Sequence, residues 1–308
     1  MKTTISTEWL SGCSGCHVAV VDLHETLCHL MDSVEFVRIP VLMDEKSYPK
    51  ADIGLVEGAI RSEHDRESLL KMRESVTTLV AFGTCAVYGG PSGIGWLHSA
   101  DSVLRCVYCQ GPTNTSKQLP DKESPPLEQS VTPIDEAVKV DLFVPGCPPN
   151  PFWIASALTA LGTSDRSLLT SKTVCSRCER KMKKTSGATL QKASVSAPDP
   201  DVCFLSQGVV CLGSVTLERC LSQCPNRGVA CSGCAGPSTD IITEPHLDIR
   251  TMVSKRMHML TGIDQKEIQE YMEHQAKTFY AYSLASPIMY KKPTVEMKAW
   301  SDSAETSA

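Results

Sequence analysis

The chain has 308 residues, 42% hydrophobic and 21% charged, with a formal net charge of −5 at pH 7. That length suits about two domains of roughly 150 residues each, and the mild acidity excludes the basic footprint of a nucleic-acid binder and a polybasic membrane patch. No apolar run approaches the ~20 residues of a membrane helix, and residues 1–10 carry neither a signal-peptide core nor a twin-arginine pair. A cytoplasmic chain with no membrane span is expected. Against that background the 15 cysteines stand out. Disulfides are rare in a reducing cytosol, so this density points to metal or redox chemistry.

In chain order, short apolar runs bounded by Gly, Pro or Asp predict buried parallel strands at 34–40, 52–56, 77–82 and 140–144, with a weaker one at 5–10. Between them, Val18, Val21, Leu23, Leu27 and Leu30 predict one face of a helix after Cys16. Leu69, Leu70 and Met72 predict a second helix over 65–75. Residues 107–133 read as a long polar loop, and a helix is expected after Pro149, through Trp153 to Leu161. Alternating elements of this kind imply an α/β, doubly wound parallel sheet.

After Gly162 strand signals vanish, and Ser, Lys and Cys dominate up to Pro237. So few large apolar residues cannot hold a fold by burial alone. The cysteines can supply staples as metal ligands. Further on, Asp264 with Glu267 predicts a capped helix start, and Ile268, Met272, Ala276 and Phe279 an apolar stripe. The expected organisation is a first domain over 1–162, a cysteine-stapled domain over 163–240 and a helical tail over 241–308, its last residues (301–308) disordered.

Four cysteines follow predicted strands: Cys13 and Cys16 after the first, Cys85 after the run 77–82 and Cys147 after the run 140–144. In an open parallel sheet, ligands bind in the crevice at the carboxyl ends of the strands. Flanking glycines allow tight turns and close backbone approach. Four gathered thiolates suit a [4Fe–4S] cube. A tetrahedral zinc site is the bland alternative, and a thioredoxin-like pair with two bystanders is a weaker one, because that motif gives Cys85 and Cys147 no part.

Cys13-x-x-Cys16, Val56-Glu57-Gly58-Ala59-Ile60, Gly83-Thr84-Cys85-Ala86-Val87-Tyr88-Gly89-Gly90 and Pro145-Gly146-Cys147-Pro148-Pro149 occur in this order. Together they resemble the flavodoxin-like domain of nickel–iron hydrogenase small subunits. The related complex I iron–sulfur subunit shares parts of the pattern but has adjacent cysteines where this chain has Cys13-Ser14-Gly15-Cys16. The resemblance implies that Cys13, Cys16, Cys85 and Cys147 bind a proximal [4Fe–4S] cluster, nearest a nickel–iron site on the large subunit. It also places Glu57 at an acidic position near that interface, with a positioning or proton role set against the plain reading of a solvated carboxylate at a strand end.

Cys175, Cys178, Cys203, Cys211, Cys220, Cys224, Cys231 and Cys234 fall within 60 residues and imply two further tetrathiolate sites. Spacing alone does not pair them, and two zinc-ribbon-like sites fit it equally. The stretch from Cys203 to Thr216, the eight residues between Cys211 and Cys220, and Cys231-x-x-Cys234-Ala235-Gly236-Pro237 are similar to the C-terminal domain of the same family. By that resemblance Cys175, Cys178, Cys203 and Cys211 bind a distal [4Fe–4S] cluster, and Cys220, Cys224, Cys231 and Cys234 a medial one. Exported members have a histidine in place of Cys175 and commonly lack the fourth ligand Cys224. The differences resemble cytoplasmic hydrogenases that work with diaphorase, deazaflavin-reducing or heterodisulfide-reductase partners. The added negative charge lowers cluster potentials, which suits delivery to NAD or ferredoxin.

Three cysteines remain. Cys28 is expected to be a buried small hydrophobe. Cys106-Val107-Tyr108-Cys109 has metal-ligand spacing without a second pair, and reads as unliganded loop thiols. His17, His24 and His29 read as ordinary surface or core residues. The basic run Arg180–Lys184 reads as a solvated face, and residues 90–95 lack the dinucleotide fingerprint. The resulting expectation is the electron-transfer small subunit of a hydrogenase. It would relay electrons through three [4Fe–4S] clusters between a large subunit and a further flavin or iron–sulfur subunit. A complex I-like subunit and a zinc-stabilised binding module are the rivals.

Overall fold

The structure, a computed structural model, describes residues 2–40, 42–115, 117–120, 124–163, 171–192, 198–244 and 246–286. The chain divides into two compact units, one of Met1–Thr163 with the chain from Ser283, the other of Ser164–Tyr282. No described helix is long and apolar enough to cross a membrane.

The first unit runs β1 (Thr3–Trp9), α1 (Gly15–Val21), α2 (Glu25–Leu30), β2 (Val34–Arg38), β3 (Ala51–Glu57), β4 (Ile60–Ser62), α3 (Glu63–Ser75), β5 (Val76–Phe82), α4 (Thr84–Tyr88), α5 (Ala100–Leu104), β6 (Leu127–Thr132), β7 (Leu142–Val144) and α6 (Pro151–Thr163). Five strands form one sheet in the order β2-β1-β3-β5-β7, and every pair in it is parallel. Counted within that sheet the order is 2-1-3-4-5, the flavodoxin-like doubly wound arrangement. The strands are apolar along most of their length because parallel strands in such a fold are covered on both faces. β3 is buried at every residue but Asp52.

Helix α3 shows how sequence sets this packing. Ser62 accepts from the backbone N–H of Asp65, and Asp65 accepts from that of Ser62, a reciprocal cap that fixes where the helix starts. Leu69 and Met72 then face inward and join Val56, Ile60, Leu79 and Ile134 in the core. Gly54 lets helix and sheet approach, since a Cβ there would lie 2.9 Å from Val76 and 3.2 Å from the Met72 sulfur.

Three local expectations need correction. Residues 107–133 are not one loop: they include β6, which pairs antiparallel with β4. Its sequence, Leu127-Glu128-Gln129-Ser130-Val131-Thr132, is too polar to signal a strand. The helix after Cys16 is two helices, broken at His24, whose φ is +49°. Its inward residues are His17, Ala19 and Val20, while Val18 is 53% exposed.

In the second unit, the described residues of 171–222 form single 3₁₀ turns at Val174–Arg177, Leu205–Gln207 and Leu212–Val215, joined by isolated bridges such as Thr173–Leu217 and Lys181–Val202. Short helices α7 (Gln223–Asn226) and α8 (Thr239–Thr243) follow, then α9 (Ile249–Thr261), α10 (Gln265–His274) and α11 (Ala276–Phe279). Asp248 caps α9, and Gly262, in the left-handed region at φ +77°, ends it. Asp264 caps α10 as expected, accepting from Lys266 and Glu267 N–H groups. Helix α9 packs on α10 and on the turns at 205–207 and 212–215. As far as Tyr282, therefore, the helices that follow residue 240 belong to the same packed unit as the cysteine segment. Residues 301–308 lie outside those described.

Candidate metal centres

All 15 cysteines are free thiols. The first four predicted ligands meet at the carboxyl edge of the parallel sheet. Trp9 and Glu57, the last residues of β1 and β3, lie opposite each other, and Leu10 N–H donates to the Glu57 carbonyl at 2.8 Å. Cys13 and Cys16 sit on the turn that leads from β1 into α1, where Ser14 takes the left-handed conformation at φ +63°. Cys85 lies in α4, directly after β5. Cys147 follows β7. The two loops that carry Cys85 and Cys147 are tied together: Gly83 N–H donates to Val144 O, Thr84 N–H to Gly146 O and Gly146 N–H to Thr84 Oγ1, at 2.8, 2.8 and 2.9 Å.

The four sulfurs lie within electrostatic reach of one another. Burial pushes the Cys16 thiol up, and Glu57, Cys85, Cys147 and Cys13 push it further. Cys85 is pushed up to about 12 by burial, then by Cys147, Cys13 and Glu57. Cys147 is raised by burial and by Cys13. Thiols held this way keep their protons in water and release them to solvent when a metal binds the sulfur. Glycine supplies the wall around them. At Gly83 (φ +88°) a Cβ would fall 2.2 Å from the Cys16 sulfur, and at Gly90 (φ +54°) it would fall 2.5 Å from the Cys85 sulfur. A side chain at either position would occupy the space beside the thiolates, so donor type and glycine wall both fit a [4Fe–4S] cube. Among the described residues, no three His, Cys, Asp or Glu side chains close around one point as ligands of a single metal ion.

Glu57 is 2% exposed, which removes the solvated-carboxylate reading. Its Oε2 accepts from His17 N–H at 2.8 Å and lies 2.9 Å from His17 Nδ1. His17 Nε2 is 2.8 Å from Thr7 Oγ1. Nothing local in the sequence marks His17, because its partner is 40 residues away.

Cys175, Cys178, Cys203 and Cys211 also form an interacting set. Cys175 is pushed up to about 12 by burial and by Cys211, Cys203 and Cys178, with Arg256 opposing. Cys211 is pushed up to about 11, chiefly by burial, against backbone N–H groups of Gly213 and Cys231 that favour its thiolate. Gly213 again supplies open wall, its absent Cβ lying 3.6 Å from both the Cys175 and Cys211 sulfurs. In the last four, Cys220 interacts with Cys224, and Cys231 with Cys234. Cys231 also faces the second set, its N–H donating to the Cys211 sulfur at 3.3 Å. The contacts thus give two pairs, with Cys231 leaning toward Cys211.

Of the remaining cysteines, Cys28 is exposed on α2, not a buried hydrophobe. Cys106 and Cys109 lie on a widened helical turn, Arg105–Cys109, that continues α5. Arg180 is not on a solvated face: it is buried, with its guanidinium 4.0 Å from the centre of the Phe204 ring.

The family described as NADH ubiquinone oxidoreductase, 20 Kd subunit, matches residues 13–161. Over the whole chain the similarity is to hydrogenase subunits. One subunit of the F420-non-reducing hydrogenase vhu of Methanocaldococcus jannaschii is 41% identical over 228 residues, 74% of this chain and 79% of that protein. A subunit of the F420-non-reducing hydrogenase of Methanothermobacter thermautotrophicus is 33% identical over 306 residues, 96% of this chain and 99% of that protein. Among solved structures, an NAD+-reducing [NiFe]-hydrogenase in the H2-reduced state superposes with a TM-score of 0.52 at 35% identity, over 54% of this chain and 94% of the other.

Proposed function

Because this chain belongs to the family of nickel–iron hydrogenase small subunits, we propose that it is the electron-relay subunit of such an enzyme, working in the cytoplasm between a large subunit's nickel–iron site and a further redox subunit through three [4Fe–4S] clusters. It is an iron–sulfur subunit of an oxidoreductase, and the catalytic metal belongs to the large-subunit partner in this reading. The observation that carries the relay is the meeting of Cys13, Cys16, Cys85 and Cys147 at one sheet edge with Gly83 and Gly90 leaving room beside their sulfurs.

A bound [4Fe–4S] cluster supplies a one-electron carrier whose potential answers to nearby charge, to hydrogen bonds on sulfur and to exposure. In the proximal set, Cys13, Cys16, Cys85 and Cys147 are the holding residues. Glu57 adds negative charge near Cys16 and Cys85 and, through His17 N–H, fixes the start of α1. That buried pair is suited to a positioning or proton role at the large-subunit interface. In the distal set, Cys175, Cys178, Cys203 and Cys211 hold the cluster, and Arg256 offsets negative charge at Cys175. Cys220, Cys224, Cys231 and Cys234 hold the medial one.

All-thiolate ligation favours low potentials, so the redox partner is assigned as a flavin or iron–sulfur subunit linked to NAD or ferredoxin. The relationship to NAD-reducing and F420-non-reducing hydrogenase subunits supports this class. A redox titration that finds every cluster well above the hydrogen couple overturns it. The relay itself is tested by anaerobic purification of this subunit, resolved from its partners. Iron and acid-labile sulfide of about twelve each per chain, with a broad brown absorbance, are expected. Zinc without colour, or only about eight irons, would overturn the three-cluster reading.

A further inference from the structure

The pair Cys106 and Cys109 stands outside all three thiolate sets. Ser99 caps α5, accepting from Ser102 N–H at 3.2 Å. After Leu104 the helix widens into a π turn, closed by Gln110 N–H donating to Arg105 O at 2.9 Å. Residues three apart on a helical turn are one turn's reach from each other, and a disulfide accepts a Cα separation of usually about 4.4–6.8 Å. Cys106 is exposed, and Cys109 is half-buried, with its thiol donating to Lys117 O at 3.4 Å. Arg105 pairs with Asp101 at 2.6 Å. A cavity of about 340 Å³ opens beside Cys106, lined also by His98, Ser102, Val103, Val107 and Gln110. Val103 and Val107 make part of its wall apolar, and its volume suits a small molecule.

We propose that Cys106 and Cys109 are a thiol–disulfide exchange site for low-molecular-weight disulfides, separate from the metal centres. The exposed Cys106 thiolate attacks one sulfur of the small disulfide, forming a mixed disulfide and releasing one small thiolate. Cys109 then attacks the Cys106 sulfur, closing the Cys106–Cys109 bond and releasing the second. The protein loses two electrons and two protons, and the small disulfide takes up both as two thiols. Closure also removes the Cys109 hydrogen bond to Lys117 O, one of the ties between this turn and the loop after it.

The test uses the anaerobically purified complex with glutathione disulfide as probe, followed by alkylation of the remaining thiols and tryptic mapping. Cleavage after Arg105 and Lys117 puts both cysteines on one peptide, with Cys28 on another as an exposed single-thiol reference. The expected result is loss of both alkylatable thiols from the 106–117 peptide, its mass lower by a pair of hydrogens, and recovery of both after dithiothreitol. In Cys109→Ser the exchange stops at Cys106, which retains one glutathione, and the iron content of the complex is unchanged. The proposal is overturned if the peptide stays doubly alkylated while Cys28 is glutathionylated, if each cysteine carries its own glutathione, or if Cys109→Ser loses iron.

Discussion

In the first unit, the four cysteines follow strands that are already fixed by a buried core of Ile5, Ile60, Leu69, Met72, Leu79 and Ile134. In the second, the described residues of 171–238 have turns, one short helix and single bridges in place of a sheet. Their buried apolar residues include Val174, Leu205, Val209, Leu212 and Val215, and the turns at 205–207 and 212–215 pack on α9, where Val253 and Met257 are buried. A methylene buried in a packed core contributes about 0.8 kcal/mol wherever it sits, but in the first unit such residues lie on hydrogen-bonded strands and in the second on turns held by single bridges. Thiolate sites are thus carried by a fold in one case and take part in making the fold in the other.

Removing the metal is the strongest way to break this comparison. After anaerobic chelation of iron, amide hydrogen exchange is expected to lose protection across 171–238 while β1, β3 and β5 keep theirs. Equal protection in both regions would end the distinction. The converse is Leu79→Ala. Leu79 is fully buried in β5, and its truncation is expected to cost about 2–5 kcal/mol, read as a lower denaturant midpoint for the first unit with the iron of the second unit retained. The smallest effect sharpens the picture within the second unit. Asp264→Ala removes the acceptor for Lys266 and Glu267 N–H groups and is expected to cost about 1 kcal/mol. Fraying should be confined to the first turn of α10 in exchange data. A loss of iron with that variant would show that α10 bears on the thiolate sites.

Much of the site is legible in the sequence because its signals are local. A cysteine just after an apolar run marks a strand end, and Asp264 announces a cap without reference to anything distant. The features that escape such reading depend on distant partners. Glu57 and His17 read separately as a carboxylate and an imidazole, and only the fold makes them a pair. The inward face of α1 is misleading because Val18 and Val21 are apolar yet exposed, while His17 is polar yet buried. Strand β6 takes its place from pairing with β4 and from the Arg66–Glu128 ion pair, not from its own composition. Cys106 and Cys109 look like loop residues because nothing in their sequence announces the π turn on which they sit.

The strand order has a consequence for how this chain tolerates change in length. Every crossover of a parallel sheet returns the chain to the same edge, so Cys13 and Cys147 become neighbours whatever lies between the strands that precede them. The connection from β5 to β7 already holds α4, α5, the π turn and β6. Residues added to that excursion lengthen a path between two fixed ends and leave the thiolate spacing alone. The separation of these cysteines along the chain therefore sets no limit on the size of the site they form, and insertions between the strands are free to acquire other uses.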